Sequence, residues 1–473
     1  MATGAKVLGA TLAVVLLGGA GYVAADAYDV VPGLVTLEEP PPTPAPFPTA
    51  PGAVEAPAPV AALPALDEAA AKPQPARVQA LVDALAADKR LGGADGVGVL
   101  VTDQLTGEVV AEHLPTRGRE PASTAKLVTA VAALSSLDGS STIPTRVVRA
   151  SADVIVLVGG GDMMLGADAG NPLAVNGRAG LGDLARATAK QLRLEGRAKV
   201  AIQVDDTLFT GPKINPNWAA TDLSGGFVAA VTPLAVDVAK IKPGEYPPRY
   251  PDPTMSAAKV FAQRLTAAGI TVTGTPKRAQ APAGAQELAV VQSAPLADVV
   301  HYFLETSDNT ITEVVSRLVA IDAGLPASFE GGTSAVLRQV AQLGVDITGA
   351  HLEDASGLAE GSTLAPRTLD GLLHQVTSPT QPALRPVAAG MPIGGLTGTL
   401  NDRYTKSTAR GFVRAKTGSL KGTTALAGTV LDTDGRQLVF AVIADHTPPG
   451  GQYGPRAAID AFVTKVQACG CSG

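Results

Sequence analysis

The chain has 473 residues, which is enough for two or three domains of about 100 to 200 residues each. Hydrophobic residues make up 46% of it, which suffices for large cores, and 37 basic against 43 acidic residues give a formal net charge of -6. A chain with this charge offers no broad basic surface to the phosphates of a nucleic acid. Nucleic acid is therefore not expected as a partner.

The first segment predicts export. After Lys6, residues 7–25 carry no charge, which fits either a cleaved signal peptide or a retained membrane anchor, so residues 1–25 are assigned to one of these two. Residues 26–75 follow as a linker rich in proline and alanine, a composition that cannot bury a core. We expect membrane contact only through the N-terminal segment, and a domain that works in the cell envelope outside the cytoplasm.

The remainder is organised as a main domain built from both ends of the chain. Apolar residues at Val78, Leu81, Val82 and Leu85 predict an amphipathic helix over residues 76–88. Further helices are predicted after Pro121 and near residues 456–466, and strands at residues 96–102, 108–113, 411–417, 425–431 and 437–444. Since a helix and strands occur at both ends, we expect one sheet assembled from both.

Between these ends, residues 140–285 are interpreted as an inserted subdomain, mostly of β structure. It has predicted strands at residues 154–158 and 200–204 and a helix near residues 257–268. A helical stretch over residues 296–318, broken at 306–310, then resumes the main domain, whose two parts are residues 76–139 and 286–468. The tail, residues 469–473, contains Cys469 and Cys471, which are too few for a disulfide framework or a zinc site and receive no role.

A candidate nucleophile lies at the start of the helix after Pro121. Ser123 and Lys126 are three residues apart and therefore share one face of a helix. A lysine there can take the serine proton if burial and a second cation lower its pKa. The unpaired N–H groups at the helix start favour the oxyanion that forms when the serine attacks a carbonyl.

Two tripeptides strengthen this interpretation. Ser307-Asp308-Asn309 falls at the break between two helical runs, and Lys416-Thr417-Gly418 ends a predicted strand and precedes Ser419. Either tripeptide alone is typical of a helix cap or a turn. In this order after Ser-x-x-Lys, however, they form the signature of penicillin-binding proteins and serine β-lactamases.

With these motifs the chain resembles the D-alanyl-D-alanine carboxypeptidase/endopeptidase family of low-molecular-mass class C penicillin-binding proteins. In that family a large insertion separates the first two motifs, as the long gap between Ser123 and Ser307 does here. Further similar stretches lie at residues 158–162, 205–209, 354–358, 392–395 and 398–400. The resemblance implies an α+β fold, with a penicillin-binding-protein-like antiparallel sheet packed with helices and a large, mostly β insertion.

The resemblance also implies how the matching residues act in acyl transfer. Ser123 would attack the carbonyl of the penultimate D-Ala, with Lys126 as its general base, to give an acyl-enzyme that water hydrolyses. Ser307 would pass a proton to the leaving amine. Asn309 would hold the substrate backbone and help to position Lys126, and Lys416 would supply positive charge.

A second set of matching residues would bind the substrate. Thr417 would hydrogen-bond the substrate carboxylate, and Gly418 would let an extended peptide lie close against the strand edge. The backbone N–H groups of Ser123 and Ser419 would form the oxyanion hole. The partners implied are peptidoglycan stem peptides and, as inhibitors, β-lactams, with no cofactor.

Three functions of different classes stay open. The first is a serine DD-peptidase that trims or cleaves peptidoglycan peptides, the second a β-lactamase or esterase on the same scaffold, and the third a non-catalytic envelope scaffold with inherited motifs. Carboxypeptidase and endopeptidase action use the same serine chemistry, so the sequence does not separate them.

Other suggestive residues are interpreted as structural. Ser256 and Lys259 repeat the Ser-x-x-Lys spacing but follow only a proline-rich turn, and Ser356 lacks the Gly-x-Ser-x-Gly elbow of a nucleophile. Residues 159–162 lack the Gly-Lys of a phosphate loop. The five histidines show no metal-ligand spacing, so no metal is expected.

Overall fold

The computed structural model describes residues 19–28, 30, 31, 37 and 67–469. The chain divides into two compact units, Met1–Pro64 and Ala65–Gly473. In the first unit, residues 19–27 are helical. Three parts of the chain with predicted features lie outside the described residues: residues 7–18 of the export segment, residues 38–66 of the linker, and Cys471. A search of the described helices finds none with the length and apolar character that a membrane span requires.

The second unit contains both helices and strands. Its helices are α1 Pro75–Ala86, α2 Lys126–Ser136, α3 Leu181–Leu194, α4 Ala220–Ser224, α5 Pro253–Ala267, α6 Leu296–Thr306, α7 Asn309–Asp322, α8 Phe329–Gln342, α9 Pro366–Thr377, α10 Arg385–Gly390 and α11 Tyr453–Ala468. Its strands are β1 Val97–Asp103, β2 Val109–His113, β3 Thr142–Ser151, β4 Val154–Val158, β5 Asp162–Leu165, β6 Lys199–Asp205, β7 Leu234–Val236, β8 Thr271–Val272, β9 Lys277–Arg278, β10 Glu287–Pro295, β11 Val413–Leu420, β12 Thr423–Leu431 and β13 Gln437–Ala444. The predicted α+β fold class is thereby confirmed.

The first sheet joins the two ends of the unit, as the sequence predicts. Its order is β11-β12-β13-β1-β2 and all its pairs are antiparallel, with Val97 opposite Ala444 in the central pair. Strand β1 is buried along its whole length because helices cover both faces of the sheet. Helices α1 and α11 pack on one face, and a layer that includes α2, α7 and α9 packs on the other. Strand β11 remains at the edge.

Residues that the sequence assigns to the end of the linker lie against this sheet. Ala70 is buried, the Lys72 ammonium pairs with the Glu108 carboxylate at 2.5 Å, and the Arg436 guanidinium donates to the carbonyl oxygen of Glu68 at 3.1 Å. Helix α1 then begins at Pro75, whose fixed φ and missing N–H suit a first helical turn. Residues 68–72 thus contact the sheet just ahead of the predicted start of the main domain at residue 76.

A second sheet occupies the middle of the unit. Its order is β10-β3-β4-β6-β8, with β9 also paired to β6, while β5 and β7 form a separate parallel pair. Helices α3 and α5 cover it, and their apolar residues share a core with β4 and β6. This β-rich region contains the predicted strands at 154–158 and 200–204, and α3 in addition to the predicted helix α5. The limits of the inserted subdomain stay a prediction.

Candidate active site

The candidate nucleophile lies in a tight turn that leads into α2. Residues Ala122–Ala125 form a 3₁₀ helix, and Ala122 has a left-handed φ of 47°. Because a 3₁₀ helix has three residues per turn, Ser123 and Lys126 are stacked one above the other. The Lys126 Nζ lies 2.9 Å from the Ser123 Oγ. The structure therefore brings the predicted pair into hydrogen-bond contact.

Lys126 is fully buried and surrounded by oxygen acceptors. Besides Ser123, its Nζ donates to the Asn309 Oδ1 at 2.6 Å and to the backbone carbonyl of Ser356 at 2.8 Å. Burial lowers the pKa of Lys126 to about 8, although the carboxylates of Asp354, Glu313 and Asp308 act in the opposite direction. A neutral amine here can keep two of these contacts as a donor and use its lone pair to accept the serine proton.

Ser307 and Asn309 flank the break between α6 and α7. The break forms because Ser307 takes a left-handed φ of 57° and the Asp308 Oδ1 accepts from the Ile311 N–H at 2.9 Å, which caps α7. This geometry turns Asn309 toward Lys126, and the Asn309 Nδ2 donates to the carbonyl oxygen of Phe227 at 3.0 Å. The break predicted at residues 306–310 is confirmed, and the tripeptide lies beside the candidate nucleophile.

Lys416 reaches the same place from strand β11. It is fully buried, and its Nζ lies 2.9 Å from the Ser307 Oγ and 3.0 Å from the carbonyl oxygen of Thr417. Burial lowers the pKa of Lys416 well below its usual range, and the charge of Lys126 lowers it further. A positive charge on Lys126 therefore disfavours one on Lys416, as expected for two neighbouring buried cations.

Strand β11 continues past the point where the sequence predicts its end. Thr417, Gly418 and Ser419 pair with Leu426, Ala425 and Thr424 of β12, so the strand ends at Leu420 and not at Thr417. The Thr417 Oγ1 lies 2.8 Å from the Thr399 Oγ1, and the Ser419 Oγ accepts from the Arg456 guanidinium at 3.0 Å.

A glycine is required at position 418 for a steric reason that the sequence does not reveal. A Cβ at this position would lie 2.7 Å from the carbonyl oxygen of Pro121 and 3.2 Å from the Cβ of Ala122. The space next to Gly418 is therefore filled by the turn that carries Ser123. The predicted role of this glycine, to give an extended substrate room at the strand edge, stays a prediction, but the protein's own backbone already requires the residue.

The outer edge of β11 is covered over its first half. The Gly394 N–H donates to the carbonyl of Val413 at 2.9 Å, and the Ala415 N–H donates to the carbonyl of Pro392 at 3.0 Å. Because backbone groups alternate along a strand, the N–H groups of Thr417 and Ser419 point toward the same edge. This stretch of the edge lies beyond residues 392–394 and next to the Lys126 and Lys416 side chains.

A buried loop over residues 354–358 supports the site, and the sequence reasoning missed its role. The Asp354 carboxylate accepts from the Trp218 Nε1 at 2.7 Å and from the N–H of Gly357 at 2.6 Å. Glu313, also fully buried, accepts from the Ser356 N–H at 2.8 Å, and burial raises its pKa to about 8. Together these two carboxyl groups hold the loop in place, so that the Ser356 carbonyl oxygen contacts the Lys126 Nζ. The Ser356 hydroxyl bonds to Asp354 at 3.1 Å, in agreement with the structural interpretation of this serine.

The second Ser-x-x-Lys pair and residues 159–162 lie in the β-rich middle region of the unit. Ser256 and Lys259 are on α5, and Lys259 is exposed to solvent. Residues 159–161 connect β4 to β5, where the Gly161 N–H donates to the carbonyl of Pro233 at 2.7 Å. Asp162 is buried and accepts from the Met164 N–H at 2.7 Å.

This fold and this set of side chains are those expected of a penicillin-binding peptidase, and comparison with known proteins shows the family. The chain belongs to the D-Ala-D-Ala carboxypeptidase 3 (S13) family, which it matches over residues 78–249 and 239–466. A carboxypeptidase of Mycobacterium tuberculosis is 38% identical over 416 residues, which are 86% of this chain and 87% of that protein. The chain is therefore an enzyme, a D-Ala-D-Ala carboxypeptidase by family.

Two solved structures support the fold. Both are penicillin binding protein 4 from Haemophilus influenzae, one of them complexed with a β-lactam. The first matches with a TM-score of 0.64 at 22% identity and the second with 0.61 at 23%, each over 78% of this chain and 95% of the other.

Proposed function

We propose that this enzyme removes the terminal D-Ala from peptidoglycan stem peptides through an acyl intermediate on Ser123, and that β-lactams acylate the same serine. One observation carries the proposal: the fully buried Lys126 amine touches the Ser123 hydroxyl, while a second buried lysine, Lys416, touches Ser307 beside it. An acyl transfer moves a proton first away from the serine hydroxyl and then to the leaving amine. Two buried amines next to two hydroxyls suit both transfers.

In the acylation step, the Ser123 proton passes to the neutral Lys126 amine while Oγ bonds to the carbonyl carbon of the penultimate D-Ala. The carbonyl oxygen becomes an oxyanion that the backbone N–H groups of Ser123 and Ser419 would stabilise. The outward direction of the Ser419 N–H on the open edge of β11 supports this assignment.

The tetrahedral intermediate then collapses. The C–N bond to the last D-Ala breaks, and the leaving amine takes the proton of the Ser307 hydroxyl, which lies 2.9 Å from the Lys416 Nζ. The proton that Lys126 took from Ser123 then restores the Ser307 hydroxyl, so that both lysine amines are neutral again. A water molecule next gives a proton to the Lys126 amine and attacks the ester carbonyl, the bond to the Ser123 Oγ breaks, and Ser123 takes that proton back. A stem peptide lying along the open part of β11 would pair with its backbone in the manner of an added strand.

Endopeptidase action on cross-linked peptides uses the same steps when the leaving amine belongs to a second stem peptide. It is a second candidate because the chemistry at Ser123 does not depend on the group beyond the scissile bond. We include in the proposal the predicted domain limits and a location in the cell envelope, with residues 1–25 as signal peptide or membrane anchor.

The proposal is tested by the intact mass of the enzyme after incubation with benzylpenicillin, followed by peptide mapping. We expect one adduct per chain, on the peptide that contains Ser123, and release of D-Ala from a pentapeptide. Ser123→Ala should abolish both, whereas Ser256→Ala, at the matching serine on α5, should change neither. An adduct on another serine would contradict the assignment of Ser123 as the nucleophile. Turnover of a β-lactam at tens per second, without accumulation of an adduct, would contradict the proposal and favour a β-lactamase. Inertness to both peptide and penicillin would favour a scaffold.

A further inference from the structure

We propose that Arg249, from the β-rich middle region, is a positioning residue that sets the orientation of the Asn309 amide beside Lys126. Arg249 holds the Gly226 carbonyl and thereby fixes the next carbonyl along the chain, that of Phe227. The Phe227 carbonyl in turn keeps the Asn309 amide in the orientation that suits Lys126. The inference rests on the proposed function, in which Lys126 is the general base.

The Asn309 amide has two orientations, of which one suits Lys126. In the structure its Oδ1 accepts from the Lys126 Nζ at 2.6 Å, and its Nδ2 donates to the Phe227 carbonyl at 3.0 Å. Two carbonyl oxygens repel each other, so the Phe227 carbonyl keeps the NH₂ group of Asn309 on its own side. If the amide were turned over, its N–H groups would point at the Lys126 amine. They would disfavour the ammonium form and occupy the lone pair of the neutral form.

The Phe227 carbonyl belongs to a segment that Arg249 holds in place. The Arg249 Nε and Nη2 donate to the Gly226 carbonyl at 3.2 and 3.0 Å, and its Nη1 donates to the Val238 carbonyl at 2.8 Å. Three N–H groups of one planar guanidinium thus join two segments of backbone. The peptide unit between Gly226 and Phe227 is therefore fixed by the arginine.

The Val238 carbonyl lies in an unusual turn. Asp237, Val238 and Ala239 have left-handed φ angles of 45°, 51° and 59°. Such angles are uncommon for residues other than glycine, and a β-branched residue adopts them least readily. They persist only where surrounding contacts enforce them, and they are concentrated at functional sites. Arg249 supplies one of these contacts and connects the turn to the segment that reaches Asn309.

This segment also fits closely against its neighbours. A Cβ on Gly226 would lie 2.4 Å from the carbonyl oxygen of Pro247. On the other side, the Ala229 N–H donates to the Thr310 Oγ1 at 3.0 Å. Because Thr310 follows Asn309 at the start of α7, a shift of the segment would be passed on to the amide.

The charged groups that face Lys126 come from α7 and its cap, the buried loop over residues 354–358 and strand β11. They are Asp308, Glu313, Asp354 and Lys416. Arg249 is not one of them, and its hydrogen bonds go to backbone carbonyls. Removal of its side chain should therefore affect Lys126 through the orientation of Asn309 and not through a change of charge.

The test is the rate at which benzylpenicillin acylates the full-length enzyme, measured by intact mass against time between pH 6 and 10. Since small displacements of reacting groups have large effects, we expect Arg249→Ala to lower the maximal rate by about 10- to 100-fold. The midpoint of the pH profile should move to lower pH by about one unit, because the Asn309 oxygen no longer stabilises the ammonium form of Lys126. Arg249→Lys, which can still donate to a carbonyl, should recover part of the rate.

A double-mutant cycle tests the route through Asn309. In an Asn309→Ala background no amide is left to orient, so Arg249→Ala should slow acylation by no more than about twofold. Arg193→Ala is the matched control, because Arg193 on α3 also donates to a backbone carbonyl, that of Ala268, at 2.6 Å. This variant should leave both the rate and the midpoint at their wild-type values.

Three results would overturn the assignment. They are a rate for Arg249→Ala within about twofold of the wild-type rate, a lower rate with an unchanged midpoint, and equal losses in the wild-type and Asn309→Ala backgrounds. The melting temperature of each variant is recorded, and if Arg249→Ala does not fold, Arg249→Lys takes its place in the cycle. A wild-type enzyme that forms no adduct at Ser123 would refute the proposed function instead.

Discussion

Gly418→Ala tests whether the turn that carries Ser123 is held against strand β11. The added Cβ would lie 2.7 Å from the carbonyl oxygen of Pro121 and 3.1 Å from the Cβ of Ala425. Carbon and oxygen atoms in contact are usually about 3.3–3.6 Å apart, so either the turn or the strand must move by roughly 0.6 to 0.9 Å. Because β11 is paired with β12 along its whole length, we expect the turn to move and to carry Ser123 with it.

Two measurable effects are expected from this displacement. Overpacking of this kind costs about 1–3 kcal/mol, so the melting temperature should fall by a few degrees. A displacement of reacting groups by about 1 Å lowers rates by about 10²-fold, so we expect benzylpenicillin to acylate Ser123 about 10- to 100-fold more slowly. The rate is obtained from intact mass against time. Gly118→Ala is the control, since a Cβ there meets its nearest atom, in Thr363, at 3.6 Å.

Acylation at the wild-type rate with an unchanged melting temperature would refute the steric argument. Slower acylation with an unchanged melting temperature would instead favour the expectation from the sequence, in which Gly418 makes room for the substrate. The two measurements on one variant therefore separate the two explanations.

The remaining predictions concern the buried ionisable groups. Since only the neutral amine of Lys126 accepts a proton, the rate of penicillin acylation should rise with pH with a midpoint near 8; a rate that stays flat or falls between pH 6 and 10 would count against Lys126 as the base. Burial raises the pKa of Glu313 to about 8, so its contribution to stability is complete below about pH 4.5 and is lost as the pH rises through 8. Compared with Glu313→Gln in urea unfolding, the wild-type enzyme should lose a few kcal/mol between pH 5 and 8, and parallel curves for the two proteins would contradict this.

The side chains of the candidate site could be located in the sequence because the chemistry proposed for them restricts both residue type and spacing. Ser123 and Lys126 need one turn of helix between them, and Ser307 and Asn309 need a break that the asparagine and aspartate at the start of α7 already indicate. The first sheet was predictable for a similar reason, since alternating apolar residues and the Asp434-Gly435 turn define its strands.

The rest of the site depends on groups that leave little trace in a sequence. The Ser356 carbonyl oxygen belongs to the backbone, so any residue at this position would supply it. It is held at Lys126 by Asp354 and Glu313, whose carboxyl groups accept from backbone N–H groups of the same loop. The end of β11 was misplaced because Gly418 and Ser419 resemble turn residues, although β12 pairs with both. In α3 the buried positions 181, 184, 185, 188, 189 and 192 do follow a helical period, so this helix left a signal that was overlooked.

The pairing of β1 with β13 has a consequence for how the chain is made. Val97 faces Ala444, so the centre of the first sheet cannot close until nearly all of the second unit has been synthesised. At about 5–20 residues per second, the ribosome needs roughly 20 to 70 seconds to produce the intervening chain. During that time a hairpin of β1 and β2 would have one edge without a partner, and such hairpins are marginally stable and prone to pair with other chains. We therefore expect the incomplete chain to be sensitive to contact with neighbouring chains until its last strands have been made.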